Sequence, residues 1–205
     1  MIILSLAGMY AKAKLNQLDD WFVSNIIGYV LFRSTSAVTV GARLRLRGFP
    51  FIEISPLSSV RIGRDVVISS KVYSNSLGAI SPSIIKVFHC AFLSIGNNVG
   101  LSSVRISCCH SILIGDNVLV GADCIITDSD AHPIKPKDRA DSTKIRTSPI
   151  IIEDDVFIGA KCIILKGSHV GRGSVIGAGS VVAGKIPPNC IAVGIPARPI
   201  KFHSD

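Results

Sequence analysis

The sequence predicts a mainly β fold in which short strands wind into a coil. Aliphatic residues recur every six positions in the C-terminal half, and glycine directly follows several of them, as at Gly159 and Gly177. A period of six does not fit the 3.6-residue turn of an α-helix, but it suits short strands joined by tight corners, which glycine is expected to permit. The six consecutive aliphatic positions are Ile152, Ile158, Ile164, Val170, Ile176 and Val182.

The same spacing predicts which residues stack on one another. Three six-residue units, about 18 residues, would close one triangular turn of a repeating coil. We therefore expect Ile158 to lie over Ile176 and Ile164 over Val182, with these side chains pointing into the core. A sandwich of ordinary strands is the alternative that the pattern leaves open. Two cysteines at the small inward positions of the repeat are also expected in the core: Cys124 and Cys162.

The chain is expected to contain two segments. Residues 1–38 include the apolar stretch from Leu18 to Phe32, which we interpret as a short apolar or helical cap because the apolar runs are too short to span a bilayer. Residues 39–205 are expected to form the coil and a C-terminal tail. At their start, alternation predicts one half-buried strand from Val38 to Arg47 with outward arginines: Arg43, Arg45 and Arg47.

The composition narrows the classes of function. The formal net charge is +8, and aromatic residues make up only 6% of the chain. This balance favours a partner that carries phosphate, such as a nucleotide cofactor, an anionic sugar or a membrane surface, over nucleic acid. The six cysteines show neither CxxC spacing nor the pattern of a small disulfide scaffold, which indicates a reducing compartment. We therefore expect a cytoplasmic protein.

The repeat is interrupted after Ile126 by the segment "TDSDAHPI", which places chemically active residues together. His132 lies where the coil ends and the loop 135–149 begins, and a free imidazole titrates near neutral pH, as a general base should. Asp130 is interpreted as a carboxylate partner of this imidazole, or as a ligand of the substrate from which the base takes a proton. Asp128 is interpreted as a contact to the same substrate. The alternative is a plain turn in which the aspartates bond their own backbone.

The ending "VIGAGSVVAGKIPPNCIAVGIPARPI" and the repeats before it resemble the hexapeptide-repeat acyltransferases. The resemblance is dense from about Ile95 to Lys201. Within this family, the chain most resembles the sugar O-acetyltransferases, which include the maltose, galactoside and polysaccharide enzymes. The resemblance implies a left-handed parallel β-helix, acetyl-CoA as co-substrate without a metal, and His132 as the general base. It also implies a homotrimer whose active sites lie between subunits.

The resemblance further implies which residues bind the coenzyme. Small residues in the last coils are expected to line a groove for the pantetheine arm, and basic residues near the C-terminus to contact phosphate. A Thr-Lys pair that is usual in the family is replaced here by Ala183-Gly184, with Lys185 one place later. The expected coenzyme-binding residues are Ala160, Ala178, Ala183, Gly184, Lys185, Arg198 and Lys201.

The acceptor is expected to be a sugar hydroxyl. Where relatives carry an asparagine-rich coil, this chain reads "GLSSVRISCCH", and Ser103 is the expected contact there. The basic charge and the apolar N-terminal stretch favour a surface-polysaccharide or glycan precursor and peripheral association with the inner face of the membrane. Amino sugars and small amino acids are also considered as acceptors. A zinc carbonic anhydrase-like site and a purely structural β-helix are competing interpretations, although the five histidines form no closely spaced pair.

Overall fold

The computed structural model describes Asp20, residues 37–71 and residues 80–203. Almost all regular structure in these residues consists of short β-strands. Their bounds are β1 (Val38–Val40), β2 (Arg45–Arg47), β3 (Phe51–Ile54), β4 (Ser59–Ile62), β5 (Val67–Ser69), β6 (Ile84–Val87), β7 (Phe92–Ile95), β8 (Gly100–Ser102), β9 (Arg105–Cys108), β10 (Ser111–Ile114), β11 (Leu119–Val120), β12 (Ile125–Thr127), β13 (Ile150–Ile152), β14 (Phe157–Ile158), β15 (Ile163–Leu165), β16 (His169–Val170), β17 (Val175–Ile176), β18 (Val181–Val182), β19 (Lys185–Ile186), β20 (Cys190–Gly194) and β21 (Ala197–Phe202).

The strands form three sheets, which are the three faces of a prism. Face 1 has the order β1-β4-β7-β10-β13-β16-β19, face 2 the order β2-β5-β8-β11-β14-β17-β20-β21, and face 3 the order β3-β6-β9-β12-β15-β18. Successive strands along the chain therefore lie on successive faces, and each strand pairs in parallel with the strand three places later. The pair β20 and β21 is antiparallel and forms a hairpin at the C-terminal end of the prism.

The register confirms the stacking predicted from the six-residue spacing. Ile158 pairs with Ile176, and Ile164 pairs with Val182. All four side chains are fully buried. Complete burial of one such side chain contributes about 1.5–3 kcal/mol relative to exposure, so the repeat that defines the coil also stabilises it. The two predicted core cysteines are buried as well: Cys124 and Cys162.

Glycines begin many corners because the next coil packs directly against them. A Cβ atom on Gly159 would lie 2.6 Å from the backbone nitrogen of Ala178, and one on Gly121 would lie 2.6 Å from that of Ala160. The positive φ of this corner occurs two positions after Gly159, at Lys161, where φ is 59°. Glycine therefore permits this corner, as predicted, but it does so by allowing the close approach of two coils and not through a positive φ of its own.

The segment from Val38 to Arg47 contains two strands, so the prediction of a single strand was wrong. The chain turns a corner between β1 and β2, and Arg43 at that corner has a φ of 60°. The three arginines do face outward, as predicted. Arg43 forms an ion pair with Asp65 at 2.5 Å, and the other two lie exposed on face 2.

A long loop leaves the prism between β12 and β13, where the repeat is interrupted. It contains two 3₁₀ turns, Pro136–Asp138 and Ser142–Lys144. Its two ends are joined by an antiparallel bridge between Ser129 and Thr147. The predicted N-terminal cap lies almost entirely outside the described residues. Within the described ranges, no helix has the length and apolar character needed to cross a membrane.

Candidate active site

Two corners of the prism carry most of the predicted site residues. The loop corner joins face 3 to face 1, and the alanine corner joins face 2 to face 3. On successive coils, the loop corner consists of residues 109–110, the loop 128–149, residues 166–168 and residues 183–184. The alanine corner consists of residues 103–104, 121–124, 159–162 and 177–180.

His132 is exposed at the base of the protruding loop, in the loop corner. Its backbone N–H donates to the carbonyl oxygen of Asp130 at 2.7 Å, across Ala131, whose φ is 60°. Such a tight turn is strained for a residue that carries a Cβ, and strained backbone is concentrated at functional sites. Pro133, on the other side, is buried. The imidazole is therefore presented to solvent from a constrained backbone.

Asp130 connects the neck of the loop to the prism. Its backbone N–H donates to the carbonyl oxygen of Arg146 at 3.0 Å, and its carboxylate lies 3.5 Å from the ammonium of Lys166 on the next coil. The Oδ2 atom is shielded from solvent and accepts no hydrogen bond from the described residues. Asp130 is thus placed to position the turn that carries His132. Its pairing with the imidazole stays a prediction.

The carboxylate of Asp128 is buried and fully engaged within the prism. Its side chain is 0% exposed, and its two carboxylate oxygens accept three hydrogen bonds from consecutive backbone N–H groups. These bonds measure 2.7 Å from Cys109, 2.8 Å from His110 and 2.7 Å from Ser111. An acceptor would have to displace all three to reach the carboxylate. The geometry therefore assigns Asp128 to holding the turn before β10 and does not support the predicted acceptor contact.

Ser103 is also poorly placed to bind an acceptor near His132. It is 1% exposed, and its backbone N–H donates to the carbonyl oxygen of Ser69 at 2.8 Å. It lies in the alanine corner, where its φ of 46° helps the chain to turn. The structure thus separates Ser103 from His132 by face 3, because serine at this position forms a corner and its side chain is enclosed.

Part of the predicted coenzyme-binding set lies together at the alanine corner. Ala160 is half-buried and Ala178 is exposed, and they occupy equivalent positions on consecutive coils. The tip of the C-terminal hairpin is tied to this corner by a hydrogen bond from Gly194 N to Ser180 Oγ at 3.1 Å. Arg198, in the same hairpin, is exposed. Small side chains therefore lie along this edge of the prism, and the hairpin that carries Arg198 is bonded to the same edge.

The remaining predicted coenzyme residues lie elsewhere. Ala183 and Gly184 belong to the loop corner, on the coil after Lys166, and the exposed Lys185 begins β19 immediately after them. Lys201 lies in β21 at the end of face 2. One chain therefore does not bring the seven predicted residues into a single groove. The loop-corner residues share their edge of the prism with His132.

Face 3 separates the His132 loop from the alanine corner. A strand of three residues, the length of β12, spans about 10 Å, whereas reacting atoms must approach to about 3–3.5 Å. Within one chain, a thioester lying along Ala160 and Ala178 would consequently be remote from the imidazole. The arrangement provides two halves of a site on two edges of the same prism.

Lys166 and Arg146 are candidate site residues that the sequence reasoning missed. Lys166 pairs with Asp130, and the carbonyl oxygen of Arg146 accepts the Asp130 N–H. The repeat does contain a signal for Lys166, because Leu165 pairs with Thr127 and so places the next residue in the loop corner. Arg146 lies in the interruption of the repeat, where periodicity predicts nothing.

His169 and Glu153 form a contact that belongs to the prism and lies outside the two corners. The ring of His169 lies 2.7 Å from the carboxylate of Glu153, and this hydrogen bond, with another from the backbone N–H of Arg172, lowers the pKa of Glu153. Across residues 37–71 and 80–203, no three His, Cys, Asp or Glu side chains are grouped so that they could hold a metal ion.

Comparison with known proteins shows that this prism is similar to proteins with hexapeptide repeats. The family model for the hexapeptide repeat of succinyl-transferase matches residues 111–129 and 149–183. Together with the three parallel faces, this match confirms the predicted left-handed parallel β-helix built from hexapeptide repeats. The predicted resemblance to hexapeptide-repeat acyltransferases is likewise confirmed.

Particular relatives carry acetyltransferase names. Galactoside O-acetyltransferase of Escherichia coli is 34% identical over 96 residues, which are 47% of this chain and 46% of that protein. The structure of a galactoside acetyltransferase in complex with coenzyme A is 35% identical and covers 54% of this chain and 55% of that one, with a TM-score of 0.50. A maltose O-acetyltransferase of Clostridium difficile is 27% identical, with coverage of 94% and 84% and a TM-score of 0.53. The chain spans about half the length of the curated relatives it matches.

Proposed function

We propose that this protein is an acetyl-CoA-dependent O-acetyltransferase that transfers the acetyl group to a sugar hydroxyl, with His132 as the general base. The observation that carries the proposal is the exposed imidazole, presented by a constrained turn where a long loop interrupts the hexapeptide-repeat prism. The relatives named as galactoside and maltose O-acetyltransferases support the reaction type, and the galactoside enzyme bound to coenzyme A supports the co-substrate.

The working unit is a homotrimer in which each active site lies between two neighbouring copies. The separation of the two corners supports this arrangement, because the loop corner of one copy can face the alanine corner of the next. His132 then comes from one subunit, while Ala160, Ala178 and Arg198 of its neighbour bind the coenzyme. Such a contact joins two different surfaces, and a threefold rotation closes it into a ring.

The reaction follows from the placement of these groups. The His132 imidazole takes the proton from the acceptor hydroxyl as its oxygen attacks the thioester carbonyl carbon. The tetrahedral intermediate collapses with cleavage of the C–S bond, and the imidazolium returns the proton to the departing thiolate. Asp130 positions the turn that carries the base, and the small residues of the alanine corner leave room for the pantetheine arm.

The acceptor belongs to the precursors of surface glycans, and the protein works in the cytoplasm, at the inner face of the membrane. The net charge of +8 supports an anionic partner or surface. All six cysteines are free thiols, as proteins of reducing compartments usually have them.

The test is acetyl-CoA turnover, followed as thiol release with a panel of sugars. His132→Ala should lower the rate by about 100- to 10,000-fold, the usual contribution of a general base. His110→Ala is the matched control, because His110 is also exposed in the loop corner and only its backbone N–H is bonded to Asp128. Equal rates in the two variants would contradict the assignment of the base. Absence of both thiol release and thermal stabilisation by acetyl-CoA would contradict the function.

A further inference from the structure

The protruding loop forms a cavity that is open to solvent and contains none of the residues assigned to the reaction. Its volume is about 670 Å³, within the range of small-molecule sites. Its lining begins at Pro133, the residue that follows His132 in the chain, while His132 itself lies just outside the lining. Its lining combines apolar and basic side chains: Pro133, Ile134, Lys135, Lys137, Asp138, Thr143, Lys144, Ile145 and Arg146.

The side chains that line this cavity carry more positive than negative charge. The carboxylate of Asp138 accepts a hydrogen bond from the ammonium of Lys144 at 2.6 Å, so these two lining charges neutralise each other. Asp141, outside the cavity, lies 3.5 Å from the same ammonium. Three further cations line the cavity without an ion-pair partner in the part of the chain that the structure describes: Lys135, Lys137 and Arg146.

We propose that the loop cavity binds a phosphate group carried by the acceptor sugar, an inference that rests on the proposed acetyltransferase function and names its substrate class. Three cations suit a doubly charged phosphate better than a single carboxylate, and lysine and arginine are its usual donors. Pro133 and Ile145 supply apolar surface against which the C–H face of a sugar ring can pack. With its phosphate in the pocket, the sugar would extend from the opening, and the proposal requires that one ring hydroxyl reach His132.

The test measures equilibrium binding by calorimetry without coenzyme A, whose own phosphates would compete. The probes are the 1-phosphates of glucose, galactose and mannose, each paired with its neutral methyl glycoside, and glucuronate as a carboxylate. Glucose diphosphate on a short prenyl alcohol is a further probe that distinguishes a lipid-linked phosphate from a free one. At least one sugar phosphate should bind about tenfold more tightly than its glycoside, since hydrogen bonds to charged groups are the strong ones.

The basic residues are tested with matched variants. Arg146→Gln and Lys135→Gln should each reduce the preference for the phosphate over the glycoside by about three- to tenfold. Arg139→Gln is the control, because it removes the same charge from the same loop at a residue that does not line the cavity. This variant should prefer the phosphate over the glycoside as strongly as the parent protein does. Size-exclusion chromatography verifies that the variants assemble like the parent. Without any variant, raising the salt concentration should weaken binding of the phosphate and not of the glycoside.

The inference is overturned if none of the sugar phosphates binds more tightly than its methyl glycoside. It is also overturned if glucuronate binds more tightly than every sugar phosphate. An effect of Arg139→Gln equal to that of Arg146→Gln would also overturn it. The overall positive charge of the loop would then explain the preference for phosphate without a binding site in the cavity. These results leave the acetyltransferase proposal standing if acetyl-CoA is still turned over with a neutral sugar. Loss of all acetyl-CoA turnover and binding, in contrast, counts against the proposed function.

Discussion

Replacing Asp128 by asparagine separates a structural role from a role in substrate binding. The carboxylate accepts three backbone N–H groups from Cys109, His110 and Ser111 at 2.7–2.8 Å, in a side chain that is 0% exposed. The single oxygen of asparagine can keep two of these bonds, which become neutral and weaker. The third N–H would then face the amide NH₂ group, a second donor. A lost charged hydrogen bond costs about 1.5–3 kcal/mol, and the two weakened bonds add to this cost.

We therefore expect Asp128→Asn to lower the free energy of unfolding by about 3 kcal/mol. For a chain of this length this corresponds to a fall in Tm of about 6–12 °C. Urea denaturation followed by circular dichroism at one fixed protein concentration measures the change. Below the transition, kcat and KM should stay within about twofold of the parent, because the carboxylate does not reach the substrate.

Asp155→Asn is the matched control for this experiment. Asp155 is exposed, accepts a hydrogen bond from Asn117 at 2.9 Å and lies 3.7 Å from the guanidinium of Arg172. Both contacts are exposed to solvent, so its replacement should cost less than about 0.5 kcal/mol. A purely structural role of Asp128 is refuted if Asp128→Asn leaves the stability unchanged while the KM for the acceptor rises tenfold or more. That result would restore Asp128 as an acceptor ligand.

Three further predictions concern other parts of the prism. Gly159→Ala should lower the free energy of unfolding by more than about 2 kcal/mol, measured by urea denaturation, because its Cβ would lie 2.6 Å from the backbone of the next coil. At pH 8, iodoacetamide should label the exposed Cys90 and not Cys108, whose thiol pKa is raised to about 12 by burial and by a neighbouring carboxylate; equal labelling by mass spectrometry would contradict this. Lys166→Met should increase limited proteolysis of the loop by about fivefold through loss of the ion pair with Asp130, while Lys166→Arg should restore protection.

The C-terminal coils of the prism were readable from the sequence because they return after 18 residues, as from Ile158 to Ile176 and from Ile164 to Val182. The six-residue phase predicted the pairing of Ile158 with Ile176 directly, since stacking requires only that each coil return to the same position. The sequence pattern failed from Val38 to Arg47. Its alternation of apolar and basic residues fits one continuous strand and equally fits two short strands on either side of a corner, and the segment is too short to distinguish the two.

The candidate site was less readable because its roles depend on what surrounds each side chain. Asp128 and Asp130 are two residues apart in the same Asp-Ser-Asp motif, yet one bonds three N–H groups of the preceding turn and the other a lysine of the next coil. The resemblance implied a set of coenzyme residues without showing that Ala178 and Ala183 lie on different edges of the prism. Motif matching gives residue types, whereas the edge on which each residue lies follows from the stacking of coils.

The central claim, a site shared between neighbouring copies, is tested most directly by subunit complementation. His132→Ala removes the proposed base, and Ala178→Trp fills the proposed coenzyme groove, so each variant alone should be inactive. Co-expressed with two different tags and purified as mixed trimers, they should regain about a third of the parent's activity. Every mixed trimer has one intact site among its three, the site where the loop of an Ala178→Trp subunit faces the groove of a His132→Ala subunit. Mixed trimers as inactive as either parent variant would contradict the shared site and would place the base and the coenzyme within one chain.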